Sequence, residues 1–401
     1  MFRNFVRFIQ RKIKYKFIKK TARRIKSAYF VLLDVCGFLI FYIARKLGLI
    51  APIKDFSKDW VKRILIIRTD RIGDVVLSTP TVRALRKNFP GGFIGFLTTE
   101  YTKDLVSENK DIDEVIVYNR SVSLAEKMRF IKRLKERKFD LAIILSPFFE
   151  SALFGYLSGA AFRIGYPLNG SGFLLTTKVD IKNRYKHEIE SCLDVIRAIG
   201  IDASVKRPKL TISQEAENYA EDFFNKCRIS TSDLKICIHP GGYEEHTRWL
   251  PEAYAEVADK LINRYQAKVI LVGGIGDKET IDAVVKLMSQ RPIVADLNNP
   301  LQRSAVIIKK CDIFLGNNSG PMHIAVAVET PVVAIFGAIH PLENENKWAP
   351  YGEGHIIVRK EMDCVDCHPG HCRDLRCMKA ITVDDVLAAL ETQINKIKKL
   401  K

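Results

Sequence analysis

The sequence predicts an α/β protein made of two doubly wound, Rossmann-like domains behind a basic N-terminal arm. Three observations carry that prediction. Short, wholly apolar runs such as 64–67 and 141–145 alternate with stretches of helical period, the pattern of buried parallel strands joined by crossover helices. Glycine-bearing loops at 240–242, 273–276 and 316–320 each follow a strand and precede a helix, so all of them open on one edge of a sheet. The positive charge is concentrated outside this body: the first 63 residues hold 17 Lys or Arg against three Asp, about +14 of the net +18. A nearly neutral body argues against nucleic acid as the partner, since that partner demands a basic face.

The arm, residues 1–60, interleaves Phe2, Phe5, Phe8, Ile13 and Phe17 with eleven Lys or Arg before residue 28. As a helix this has one aromatic and one cationic face, which suits an anionic membrane surface. An apolar run over 28–43 follows, interrupted by Asp34 and Gly37. Sixteen residues with a carboxylate inside are short of the roughly 20 that a span needs. A signal peptide does not fit a basic region this long without a small-residue cleavage site. The expectation is a peripheral or monotopic anchor, with a solvated helix packed on the body and a true span as the alternatives.

A linker from Ala51 to Lys62 leads into the first domain, 61–205. Strand 64–67 passes through Gly73 into a helix over 74–88, whose Val75, Val76, Thr79, Val82, Leu85 and Phe89 recur on one face. Strands at 93–97 and 115–117, a basic amphipathic helix at 122–138, strand 141–145 and helices at 149–158 and 186–199 continue the alternation. After a linker at 200–208 the second domain, 206–380, repeats it. Helix 214–226 and strand 235–239 lead to a helix at 251–264 that opens on Pro251, an allowed first-turn position. Strand 269–272, helix 301–310, strand 313–315 and strand 331–336 follow. An amphipathic helix over 382–399 closes the chain.

Asp74, on the first turn of its helix beside Arg68, Asp70 and Arg71, has two readings. It is either a cap that starts the helix or an ionised carboxylate placed to accept a proton. In the second domain Gly241 and Gly242 permit close backbone approach to a ligand. Gly320 at a helix start, with Asn317, Asn318 and Ser319 ahead of it, offers N–H groups and short polar side chains to a phosphate. Arg248 adds a cation, and His323 one turn into the helix is either a donor to a phosphate or sugar oxygen or a satisfied core histidine. Gly273 and Gly274 lack the Gly-x-Gly-x-x-Gly spacing of a dinucleotide fingerprint, which argues against a dehydrogenase. Together these loops describe a metal-free diphosphate cradle.

Of nine cysteines, Cys36, Cys192, Cys227, Cys237 and Cys311 are scattered in apolar surroundings, as reduced core thiols of a cytosolic protein would be. Cys364, Cys367, Cys372 and Cys377 cluster with His368 and His371. That set is read either as a structural zinc site or as reduced or redox-active surface thiols.

Taken together, the motifs resemble glycosyltransferase family 9, the heptosyltransferases of lipopolysaccharide core assembly. The resemblance spans roughly residues 62–395. It rests on Ile64 to Val76 with Thr79-Pro80, His239-Pro-Gly-Gly242 with Arg248-Trp249, Gly316-Asn-Asn-Ser-Gly-Pro-Met-His323, Pro331 to Gly337, and the cysteine-rich tail. It implies a GT-B fold, with two Rossmann-like domains facing a cleft, acceptor on the N-terminal one and donor on the C-terminal one. It also implies inverting transfer without a metal or other cofactor, and places the catalytic aspartate at Asp74. The expected donor is a nucleotide sugar, ADP-heptose foremost. The expected acceptor is a lipid-linked saccharide met by Arg68 and Arg71, at the cytoplasmic face of a bacterial inner membrane. Two residues depart from the family pattern. Thr247 precedes Arg248-Trp249 where many members have Lys, and Asn318 stands where the family has Asp. Those departures keep a non-catalytic nucleotide-sugar binder in view, beside a GT-B epimerase or hydrolase.

Overall fold

A computed structural model describes residues 26–49, 56–337, 340, 342–364, 372 and 374–400. The strands, in chain order, are β1 (Arg63–Ile67), β2 (Phe93–Thr99), β3 (Glu114–Tyr118), β4 (Leu141–Ile144), β5 (Phe162–Gly165), β6 (Thr177–Lys178), β7 (Lys235–His239), β8 (Lys268–Leu271), β9 (Ile293–Val294), β10 (Ile313–Asn317), β11 (Val332–Ile335) and β12 (Ile356–Val358). The helices used below are α1 (Lys26–Lys46), α2 (Ile72–Asn88), α3 (Leu124–Glu136), α4 (Phe149–Leu157), α5 (Glu188–Arg197), α6 (Gln214–Lys226), α7 (Pro251–Tyr265), α8 (Lys278–Leu287), α9 (Leu301–Lys309), α10 (Gly320–Ala327), α11 (Glu345–Trp348), α12 (Arg376–Ala380) and α13 (Val383–Leu400). The strands form two sheets. Every described pairing is parallel, as the unbroken apolar strands predict. The chain divides into two compact units, 1–67 with 121–181 and 68–120 with 182–401.

In the first unit β1, β4, β5 and β6 lie side by side in that order, with Ile64 opposite Leu141, Leu141 opposite Phe162 and Ile164 opposite Thr177. Asp140 fixes the start of β1 by accepting from the backbone N–H of Lys62 and Arg63 at 2.9 and 2.8 Å. The strands β5 and β6 were not anticipated, because four and two residues with an Arg and a Lys among them carry no apolar run. Helix α1 docks here. The Asp34 carboxylate accepts from the Phe173 N–H at 2.9 Å, Gly37 admits the Phe173 ring, and Phe41 packs against Tyr156 and Phe173 at 5.1 Å each. Its other face is bare: Val31, Leu32, Leu39 and Ile40 are about three-fifths exposed. At 21 residues and mean hydropathy 2.0, α1 is longer than the 28–43 run suggested and long and apolar enough to cross a membrane. This corrects the argument from length. The basic stretch before it lies outside the described residues.

The second unit pairs β2 with β3, Leu97 opposite Ile116, and holds all of the second sheet in the order β12-β11-β10-β7-β8-β9. Its core runs from Ile236 and Ile238 through Trp249 and Tyr254 to Met378 and Leu390 on the last two helices. Helix α2 begins two residues earlier than expected and carries Pro80 in its interior. The carbonyl of Val76, which an N–H at position 80 would otherwise meet, accepts instead from the Thr79 hydroxyl at 2.8 Å. In the second sheet β7 and β10 pair with Gly316 opposite His239, and β7 lies beside β8. This alignment brings the three glycine loops to the carboxyl edge together, where doubly wound sheets bind ligands.

Candidate active site

All of the site described here lies within the second unit. As β1 ends, Arg68 turns inward and is 1% exposed. Its Nη1 lies 3.2 Å from Asp70, its Nη2 donates to Asp74 Oδ1 at 3.0 Å and to Glu188 Oε1 at 2.5 Å, and its Nε donates to the Asp74 carbonyl at 3.1 Å. The other Glu188 oxygen meets Lys347 Nζ at 2.5 Å, and that ammonium also donates to the Arg184 carbonyl and to Ser191 Oγ. A row of alternating charge thus runs Lys347, Glu188, Arg68, Asp74, with Asp70 beside the guanidinium.

Asp74 sits on the first turn of α2, at the third helical position and not at the N-cap, which is Arg71; its Oδ2 reaches back to accept from the Arg71 N–H at 3.3 Å. Its side chain keeps one-fifth of its surface open. Loss of hydration raises its pKa to about 7 against the pull of Arg68, with Asp70 and Glu188 pushing the same way as desolvation. Glu188 goes the other way. Burial opposes its ionisation, but Arg68 and Lys347 outweigh that and hold it at about 2.

The expectation that Arg68 meets an anionic acceptor is not what this geometry offers, because the guanidinium is enclosed by three carboxylates. Arg71 is different: its side chain is 58% exposed, lies 3.6 Å over the Tyr243 ring and reaches Glu244 at 3.5 Å.

Helices α2 and α10 pack against each other through their first turns. A Cβ on Gly320 would lie 2.6 Å from Ile72 Cβ, and one on Gly73 would lie 2.7 Å from the His323 ring, so both glycines serve backbone approach. His323 is 2% exposed, its Nδ1 has no hydrogen-bond partner among the described residues, and burial lowers its pKa to about 3, leaving the ring neutral.

The loops of the second sheet are brought together but are partly occupied by the protein itself. Asp277, which the sequence did not single out, fills the space Gly241 leaves. It accepts from the N–H of Gly242 at 3.2 Å and of Gly274 at 2.9 Å, and it meets His239 Nε2 at 3.3 Å. Burial would raise its pKa, but the His239 contact and these two backbone donors bring it down to about 2. Gly273 is shaped by packing, since a Cβ there would strike Ile281. His239 Nδ1 faces Ser319 Oγ at 3.1 Å, and Ser319 stands at the N-cap position of α10 with its hydroxyl turned to His239 and not to the helix backbone. Arg248 Nε donates to the Gly242 carbonyl at 2.7 Å. Asn317 is fully buried and faces inward: it accepts from the Trp249 N–H and the Tyr254 hydroxyl and donates to the carbonyls of Pro240 and Gly241. It pins the loop from behind. Asn318 donates to the Glu343 carbonyl at 3.3 Å, and Thr247 Oγ1 donates to the Glu244 carbonyl at 2.7 Å.

Of the cysteine cluster, Cys367 with His368 and His371 lies outside the described residues. Cys364 and Cys377 are half-buried and Cys372 is exposed, with Cys364 accepting from Arg376 at 3.7 Å. Among the described residues no group of three or more His, Cys, Asp or Glu could hold a metal, so the zinc reading gains no support.

A profile of glycosyltransferase family 9 (heptosyltransferase) matches residues 127–376, more than half of the chain. The chain belongs to glycosyltransferase family 9. This enzyme is 26% identical over 302 residues to lipopolysaccharide heptosyltransferase 2 of Escherichia coli K12, a match covering 70% of this chain and 84% of that protein. In fold it is similar to a family 9 glycosyltransferase of Veillonella parvula, with TM-score 0.77, 24% identity and coverage of 86% of this chain and 100% of that one. It is also similar to the Escherichia coli ADP-heptose heptosyltransferase II, with TM-score 0.69, 22% identity and coverage of 84% and 99%. The α/β, GT-B expectation holds, and so does that of a glycosyltransferase.

Replacing Asn317 with Ala should lower the unfolding free energy by about 3 kcal/mol, because buried donors and acceptors on Trp249, Tyr254 and the 240–241 loop lose their partner. Urea unfolding followed by tryptophan fluorescence measures it.

Proposed function

We propose that this family 9 glycosyltransferase moves heptose from ADP-heptose onto a lipopolysaccharide core or related lipid-linked saccharide, with inversion and without a metal. The observation that carries the reading is the Asp74 carboxylate. It is part-exposed, held by Arg68 at 3.0 Å and with a pKa raised to about 7, and so matched to accept a proton near neutrality. The relative named as lipopolysaccharide heptosyltransferase 2 supports the sugar and acceptor class. The family resemblance supports inversion, and the expected division has residues 61–205 on the acceptor side and 206–380 on the donor side.

In this scheme an acceptor hydroxyl attacks the anomeric carbon, its proton passes to Asp74, and the bond from that carbon to the ADP oxygen breaks. Charge growing on the leaving diphosphate is met by the amino end of α10 at Ser319 and Gly320 and by Arg248. His323, neutral and against Gly73, offers a hydrogen bond to a sugar or phosphate oxygen. Arg71, the exposed cation beside Asp74, contacts the anionic acceptor. The bare face of α1 holds the enzyme at the cytoplasmic surface of the membrane, where a lipid-linked acceptor resides.

Asp74→Asn should cut kcat by about 10²- to 10⁴-fold while ADP still protects the protein against thermal unfolding. In the wild type kcat/KM should rise as pH increases through about 7, because the protonated carboxyl accepts nothing, and level off above it. Undiminished turnover by the Asn variant rejects the base assignment. Replacing Leu32, Leu39 and Ile40 together with Ser should weaken binding to phosphatidylglycerol vesicles by at least about tenfold, roughly 1.4 kcal/mol. Cosedimentation measures this, and unaltered binding rules out the α1 face as the anchor.

A further inference from the structure

We infer that Glu188 and Lys347 are positioning residues of the transfer reaction, which together set how the Arg68 guanidinium is shared and hence where and in what charge state the Asp74 carboxylate is held. The inference rests on Asp74 being the base, as proposed above.

Arg68 Nη2 carries two N–H groups and gives one to Asp74 Oδ1 at 3.0 Å and the other to Glu188 Oε1 at 2.5 Å, so the two carboxylates share the positive charge of one guanidinium. Glu188 at the start of α5 is about nine-tenths buried, and Lys347 is 3% exposed. Lys347 takes the second Glu188 oxygen and is itself fixed by the Arg184 carbonyl at 2.7 Å and Ser191 Oγ at 3.0 Å. A buried pair of this kind adds little net stability, because dehydrating both ions costs about as much as their attraction returns. What it does do is fix charge and geometry next to the reacting carboxylate. The charged and titratable groups facing Asp74 are Arg68 and Asp70 from the loop after β1, Arg71, Glu188 and Cys192 of α5, and His323 across Gly73. Burial pushes the Cys192 thiol up, so it is neutral, and His323 is neutral too. The shared guanidinium, the neighbouring carboxylates and the Arg71 N–H therefore set the field at Asp74.

Two substitutions then act in opposite directions. Glu188→Gln removes a negative charge that shares Arg68 with Asp74, so the Asp74 titration should fall by on the order of one pH unit. Lys347→Met leaves Glu188 with Arg68 alone and makes the cluster more negative, so the titration should rise by a similar amount. Lys347→Arg keeps the charge and should restore the wild-type value. A purely structural role lowers activity without this opposed pair of shifts.

The test uses full-length protein and two readouts. One is the acid limb of the kcat/KM profile, followed by ADP release from ADP-heptose with a heptose-deficient lipopolysaccharide core as acceptor. The other is the carboxyl band of Asp74 by infrared difference against Asp74→Asn, which needs no turnover. Opposed shifts with recovery in Lys347→Arg support the inference. Absent shifts, or shifts in the same direction, overturn it. If Glu188→Gln does not fold, the Lys347 Met and Arg variants decide alone. Full turnover by Asp74→Asn would reject the base reading, whereas an inactive Asn variant with unmoved titrations in the others would reject only the positioning role.

Discussion

A guanidinium with 1% of its surface in water has to be compensated where it stands, and much of this site follows from how Arg68 is compensated. Removing such an ion from water costs several kcal/mol even after relaxation, so a buried arginine must find carboxylates. It finds three, on the loop after β1, the first turn of α2 and the first turn of α5. Three negative charges around one positive charge are again out of balance, and Lys347 on α11 supplies the fourth partner. Segments distant in sequence are thereby locked to one another by charge. The same need makes Asp74 share the charge of one guanidinium with Glu188 and Asp70. Asp74 pairs one oxygen with Arg68, sets the other at 3.3 Å from the Arg71 N–H, and keeps one-fifth of its side chain open.

The second constraint is the absence of side chains. Gly73 and Gly320 sit where α2 and α10 approach, and a methyl group on either would press into His323 or Ile72. These contacts set the distance between the first turn of α2 and the amino end of α10. The carboxylate and the helix dipole that the proposed reaction uses are placed by the same close approach.

Much of this was legible in the sequence, for identifiable reasons. Buried parallel strands are continuous apolar runs, so β1, β4, β7, β8, β10 and β11 were found within a residue or two, and α6 and β7 with their observed bounds. Loops marked by glycine announced the carboxyl edge. Glu188 and Lys347 carried no such signal, because a Glu at a helix start and a Lys near an aromatic read as surface residues until the fold buries them. Asp277 was hidden by the same ambiguity, looking like one more helix-starting acid. Asn317 was grouped with Asn318 and Ser319 as a ligand contact, yet strand alternation turns its side chain away from the loop's open side. Asp34 was read as an obstacle in an apolar run. It caps the turn at Phe173 and so lets a greasy helix lie on the first unit by one face while keeping the other bare.

The loops of the second sheet, the proposed donor side, show how a loop can keep the family's outline while its charges change. The carboxylate of Asp277 lies among the N–H groups of Gly242 and Gly274, and it stays ionised to about pH 2. A diphosphate approaching the same loop would meet a fixed negative charge, so its attraction must come from elsewhere. Thr247 cannot provide it, since its hydroxyl is turned to the Glu244 carbonyl and it has no charge where many members carry lysine. Asn318, in place of the family's aspartate, pulls in the compensating direction: it removes a negative charge from the rim and holds the Glu343 carbonyl instead. One cation and one anion are thus missing together, which leaves the net charge of the rim where the family pattern has it. On that balance the two departures offset each other electrostatically, and in the proposed reaction Arg248 with the amino end of α10 remains to face the leaving group.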